Sequence, residues 1–128
     1  MPRIRIALAS LVALALVGTG SAFAVTNSTT AKATSKTTIV KVKASEFKFV
    51  LSQKSIAKPG KVIFKVTNTG KITHNFVILS GINKATKVLQ PKQSTTMTVV
   101  FKKKAKYTYE CTIGEHAEHG MIGTFLVK

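Results

Sequence analysis

A single cysteine, Cys111, stands in a chain of 128 residues. No intramolecular disulfide is therefore possible, although small exported domains often depend on several. The fold must rest on its core, and a lone thiol in an oxidising compartment needs burial or ligation. Arginine is nearly absent, with Arg3 and Arg5 the only two. Beyond them the chain has lysine alone, without the bidentate fork that specific phosphate and guanine contacts favour. Acid is scarce as well: there are four glutamates and no aspartate. Past residue 24 the balance is 18 lysines against four glutamates, a net charge of +14. Such a field steers a molecule to anionic partners and away from its own copies, so a monomer is expected. There is no convincing helical period past residue 24.

The longest apolar stretch, Ile6–Val17, is interrupted only by Ser10. It falls short of the ~20 residues that span a bilayer. Arg3 and Arg5 precede it, and Ser21-Ala22-Phe23-Ala24 follows with small residues where an A-x-A cleavage site needs them. Residues 1–24 are therefore read as a secretory signal peptide, with an uncleaved N-terminal anchor as the alternative. The protein is expected to be exported, to a periplasmic or extracellular place, or membrane-associated if the segment stays. Export and the lack of arginine both count against nucleic acid as a partner. Residues 25–37 are rich in Thr, Ser and Lys with few large apolar side chains, and a disordered leader is expected there. Residues 38–128 are left as one folded domain.

That domain reads as short β-prone runs. They are Thr38–Lys43, Glu46–Leu51, Val62–Thr67, Ile72–Leu79, Ser94–Phe101, Tyr107–Cys111 and Gly123–Val127. Lys58-Pro59-Gly60, Asn68-Thr69-Gly70 and Pro91-Lys92-Gln93 supply turns between them. The stretch from Gly81 to Gln90 fits a loop, a short helix or an edge strand. The spacing predicts an all-β protein of seven to eight strands, an antiparallel sandwich or barrel. Lys41, Lys43, Lys48 and Lys65 would face solvent and discourage pairing between sheet edges. Met97 alternates with Val99 and Phe101 and is read as core.

The donor atoms for a soft metal lie mostly in one stretch, Tyr107 to Met121. Tyr107, Tyr109 and Cys111 share one strand face, so the thiol should point inward at the strand's end. A plain buried thiol is the bland alternative. His116 follows five residues on and Met121 five further, which lets one tight loop bring all three together. His119 is the rival histidine. It stands two residues from Met121, divides the loop less well, and is assigned to the surface. His74 begins an apolar run, Phe76-Val77-Ile78-Leu79, and is either a satisfied core histidine or the second nitrogen donor. A thiolate, two imidazoles and a weak axial thioether form the ligand set of a blue-copper electron-transfer centre. The metal set is thus His74, Cys111, His116 and Met121. Asn75 and Thr112, beside two of them, are candidates to hold the ligand segments together.

These residues resemble a known family. Thr38 to Lys128 is similar to the cupredoxins, the plastocyanin- and azurin-like blue-copper proteins. The resemblance is borne by His74-Asn75-Phe76-Val77-Ile78 and by Tyr107-Thr-Tyr-Glu-Cys111 … His116 … Gly120-Met121 … Gly123-Thr-Phe. It implies a Greek-key β-sandwich with one copper ion at one end, cycling between Cu(I) and Cu(II). By position the family's ligands fall on His74, Cys111, His116 and Met121. Many relatives have Pro-Gly before the loop histidine, where this chain has Gly114-Glu115, and a small or apolar residue where His119 stands. They also often have Pro-Gly before the tyrosine strand, in place of Ala105-Lys106.

The function expected is transfer of single electrons without substrate chemistry, because protein atoms fill every metal position and the chain is then no enzyme. A binuclear copper centre would need a second cysteine. A copper carrier or storage protein that serves an exported oxidase is the alternative, and a metal-free cationic β-domain is a third. An acidic redox protein is the expected partner, with an anionic membrane or wall surface as a further possibility.

Overall fold

The structure, a computed structural model, describes residues 36–128. The expected signal peptide (residues 1–24) and nearly all of the expected leader (25–37) lie outside the described residues. No helix among the described residues is long and apolar enough to cross a membrane.

Nine strands follow one another along this stretch: β1 (Thr38–Ser45), β2 (Lys48–Leu51), β3 (Ser55–Ile56), β4 (Gly60–Asn68), β5 (Val77–Ile78), β6 (Lys84–Ala85), β7 (Ser94–Phe101), β8 (Ala105–Glu110) and β9 (Ile122–Val127). They form two sheets, β2-β1-β4-β7 and β3-β9-β8-β5-β6. Period-2 alternation decides which side chains enter the space between them. Val40 and Val42 of β1, Phe64 of β4 and Met97, Val99 and Phe101 of β7 point in from one sheet. Ile78, Tyr107, Tyr109, Phe125 and Val127 meet them from the other. The lysines of β1 and β4 occupy the alternate positions and are exposed. Phe64 touches Phe76, Phe101 and Phe125 with ring centroids 5.3–6.3 Å apart. Burying each such side chain contributes roughly 1.5–3 kcal/mol, and Phe64→Ala would cost about 3–5 kcal/mol because this site cannot collapse easily.

The sheets are mixed, where the turn spacing suggested an antiparallel arrangement. β1 pairs with β4 in parallel, and β3 pairs with β9 in parallel. After the β1–β2 hairpin the chain visits the other sheet at β3, then returns to lie beside β1 in the same direction. Alternation of side chains is identical in both directions, so it contains no signal of this.

The run Ile72–Leu79 is a strand only at Val77–Ile78. Side chains take the backbone hydrogen bonds that would have extended it. Asn68, fully buried, donates from Nδ2 to the carbonyls of Ile72 (2.8 Å) and Leu89 (2.9 Å). Thr86 Oγ1 accepts the Phe76 N–H. His74 pairs with Leu89 alone, through two backbone hydrogen bonds. Gly81–Gln90 resolves into the two-residue β6 followed by the segment that includes Leu89. From β6, Lys84 Nζ donates to the Thr98 carbonyl at 2.6 Å and ties the last strands of the two sheets together.

Candidate metal centre

β8 ends at Glu110, and Cys111 follows with its side chain fully buried, on the inward face set by Tyr107 and Tyr109. The return to β9 is closed by its own backbone. The Cys111 N–H donates to the Met121 carbonyl (3.0 Å), and the Met121 N–H donates to the His116 carbonyl (2.9 Å). Gly114 and Gly120 have φ of +49° and +100°, a left-handed conformation that side-chain-bearing residues adopt at a cost. The loop is thereby folded back so that Cys111, His116 and Met121 share one end of the sandwich.

His74 comes from the segment that leads into β5, the strand beside β8 in the same sheet. Its Nδ1 lies 3.2 Å from His116 Nδ1 and 4.0 Å from Cys111 Sγ, and Cys111 Sγ lies 3.4 Å from His116 Nδ1. All three donor atoms fall within 4.8 Å of one another. First-row metal bonds of about 2.0 Å to nitrogen and 2.3 Å to sulfur would separate trigonal donors by roughly 3.5–3.8 Å. The three atoms therefore fit around one ion with small adjustments. Met121 is fully buried and packs in the same small cluster as Cys111 and Ala44, flanked by Phe47, Phe49 and Ile113. Met97 lies in the main core, opposite Phe64 in the β4–β7 register. His119 is exposed, with its ring 5.1 Å from that of Phe47. Phe47 also packs edge-on against His116 at 5.0 Å, so it separates the two loop histidines.

Asn75 and Thr112 exchange two hydrogen bonds. Asn75 Nδ2 donates to Thr112 Oγ1 (2.8 Å), and the Thr112 N–H donates to Asn75 Oδ1 (2.9 Å). They join the residue after His74 to the residue after Cys111, 37 positions apart.

Burial, and secondarily the nearby His116, hold the His74 pKa below its ordinary 6.5. The ring is therefore neutral near pH 7 and has a lone pair to donate. Its other nitrogen, Nε2, is buried without a hydrogen-bond partner. Glu46 Oε1 is 3.6 Å away. In the sequence Glu46 reads as a charge at the head of the β-prone run Glu46–Leu51, and Asn68 as a turn residue; β2 begins only at Lys48. Both shape the segment that presents His74. No local pattern in the sequence marks either role. Backbone N–H groups, the Glu46 backbone's and those of Ile72 and Lys71, hold the Glu46 carboxyl at a pKa of about 2.

The pattern of the cupredoxin-like domain matches residues 11–123, and the chain belongs to that family. Solved structures of blue-copper proteins share its fold. Dithionite-reduced auracyanin from Roseiflexus castenholzii superposes with a TM-score of 0.62 at 23% identity, covering 73% of this chain and 98% of that one. Auracyanin A, a "blue" copper protein of Chloroflexus aurantiacus, gives 0.61 at 13% identity over 73% of this chain and all of its own. Reduced rusticyanin gives 0.59 at 24% identity over 73% of this chain and 80% of its own. No curated protein matches the chain in sequence. The cofactor that this family and this donor set define is one copper ion.

Proposed function

We propose that this chain is an exported type 1 copper protein that carries single electrons between redox partners. In this reading His74, Cys111 and His116 are the strong donors and Met121 the weak axial one. The observation that carries it is the convergence of two Nδ1 atoms and one Sγ within 4.8 Å at a buried end of the sandwich. When bound, copper supplies one-electron cycling between Cu(I) and Cu(II).

The protein's own part is to hold its donors still. His74, Cys111 and Met121 are shut away from water. The Asn75–Thr112 pair fixes the distance between the two ligand segments. His116, partly buried, leaves one imidazole edge near the surface, through which an electron can pass. Four protein donors leave no exchangeable position for a substrate, which supports a carrier rather than an enzyme.

Export is inferred from the N-terminal segment. The partner is proposed to be acidic, or to be an anionic membrane or wall surface. The charge distribution supports this. Lys41, Lys43, Lys48, Lys61 and Lys65 all stand on the outer side of the four-stranded sheet, and Lys41 lies opposite Lys65 in register. Like charges set opposite each other are unfavourable, and a bound anion would relieve them. The four glutamates are elsewhere: Glu110, Glu115 and Glu118 lie in or beside the loop, and Glu46 lies next to His74.

Visible absorption of residues 25–128 loaded with Cu(II) tests the reading. The expected result is an intense thiolate-to-copper band that disappears in Cys111→Ser. A colourless protein that binds and readily exchanges Cu(I) would favour the copper carrier instead. A coloured Cys111→Ser protein would refute the assignment of the thiolate.

A further inference from the structure

Glu46 sits in the turn between β1 and β2, with about a third of its side chain exposed (32%). Its Oε1 accepts the backbone N–H groups of Lys71 (2.5 Å) and Ile72 (2.9 Å). Those residues lie three and two positions ahead of His74. The carboxylate occupies the space above Gly70, where a Cβ would collide with both of its oxygens. Glycine at 70 is thus what admits this side chain.

The same oxygen faces His74. The ring has no exposure, and its Nδ1 points to Cys111 and His116. Its Nε2 meets no hydrogen-bond acceptor. Glu46 Oε1, at 3.6 Å, is just outside hydrogen-bond range and is the one carboxylate paired with it. A neutral imidazole that donates Nδ1 to a metal carries its proton on Nε2, and a carboxylate beside that N–H fixes the tautomer and the ring orientation. The negative charge also favours the more positive, oxidised state of a metal at Nδ1.

We propose that Glu46 is a positioning residue for the copper centre. It holds His74 in the Nε2–H tautomer and stabilises the oxidised site, at the same time as it clamps the Gly70–Ile72 turn. The inference rests on the copper reading above, and its tests separate the two.

Glu46→Gln keeps the side-chain length and one oxygen for the Lys71 and Ile72 N–H groups, and removes the charge. In the copper-loaded variant the visible band should remain. The oxidised-to-reduced ratio at a fixed potential should fall on the order of tenfold, which for one electron is a rise in reduction potential of ~59 mV. A merely structural role would move stability and leave the potential where it was. Equal potentials, within twofold in that ratio, would therefore overturn the inference while leaving the copper reading intact. Nitrogen-15 NMR of the His74 ring in copper-free wild-type protein gives a reading that needs neither metal nor a folded variant. An Nε2–H ring supports the proposal, and an Nδ1–H ring overturns it. A wild-type protein with no thiolate-to-copper band would sink the copper reading, and the tautomer would still decide the orientation of His74.

Discussion

Replacing Asn75 by alanine removes both hydrogen bonds to Thr112 and leaves the rest of the core untouched. The pair is reciprocal, at 2.8 and 2.9 Å, and Asn75 is 8% exposed. A neutral hydrogen bond contributes about 1 kcal/mol net, so the two together amount to about 2 kcal/mol. In a domain of this size 1 kcal/mol moves the melting temperature by about 4–8 °C. The copper-free Asn75→Ala protein should therefore melt roughly 8–16 °C lower. Copper affinity should also fall, by about 10–100-fold, because the segments that present His74 and Cys111 lose their strut. Thr112→Val deletes the hydroxyl and keeps the backbone N–H, so it should cost about 1 kcal/mol alone. The double mutant isolates the Nδ2–Oγ1 bond. Its coupling energy should be on the order of 0.5–1 kcal/mol. Urea titrations of the four copper-free proteins supply the numbers. Additive single effects, with Asn75→Ala costing under about 0.5 kcal/mol, would show that the strut reasoning is wrong.

Met121→Leu nearly conserves volume in its buried cluster, so the copper-free protein should lose under about 1.5 kcal/mol. With copper it should keep its colour and gain potential by voltammetry, since only the weak axial donor is gone. Glu46, with its pKa lowered from 4.5 to about 2, stabilises the fold fully above pH 4.5 and loses that contribution as pH falls toward 2. The stability gap between copper-free wild type and Glu46→Gln should accordingly be flat above pH 4.5 and close between pH 4.5 and 2. Gly123 lies opposite Tyr109 in the β8–β9 register, and the phenol ring crosses the place a Cβ would take. Gly123→Ala should cost about 1–3 kcal/mol in chemical denaturation, the usual penalty for overpacking.

The strands with strict alternation were legible in the sequence. Ser94–Phe101 is β7 with the same bounds, because Met97, Val99 and Phe101 mark one buried face without ambiguity. Tyr107 and Tyr109 marked the inward side of β8 in the same way. Donor chemistry was legible too, since a Cys, two His and a Met in a chain with little else to ligate leave few combinations. The two-residue strands β3 and β6 were not, for they are too short to show a period. Parallel pairing of β1 with β4 was invisible because alternation has no direction. The His74 segment misled for a different reason. Its residues are apolar enough for a strand, yet Asn68, Thr86 and Glu46 intercept its backbone hydrogen bonds from 4, 10 and 26 positions away. Long-range side-chain capping of that kind leaves no local pattern.

All four glutamates lie by the metal centre, and Glu46 does so from the β1–β2 turn of the lysine-bearing sheet itself. The molecule is therefore an electric dipole as well as a cation. An approaching negative surface exerts a torque on it before any contact forms, over a Debye length of about 10 Å at 0.1 M salt. That torque turns the glutamate-bearing end, with His116, away from the surface. Molecules held in this way would stand in one orientation, with their His116 end open to whatever diffuses above. Added salt would first randomise that orientation and then release the molecules.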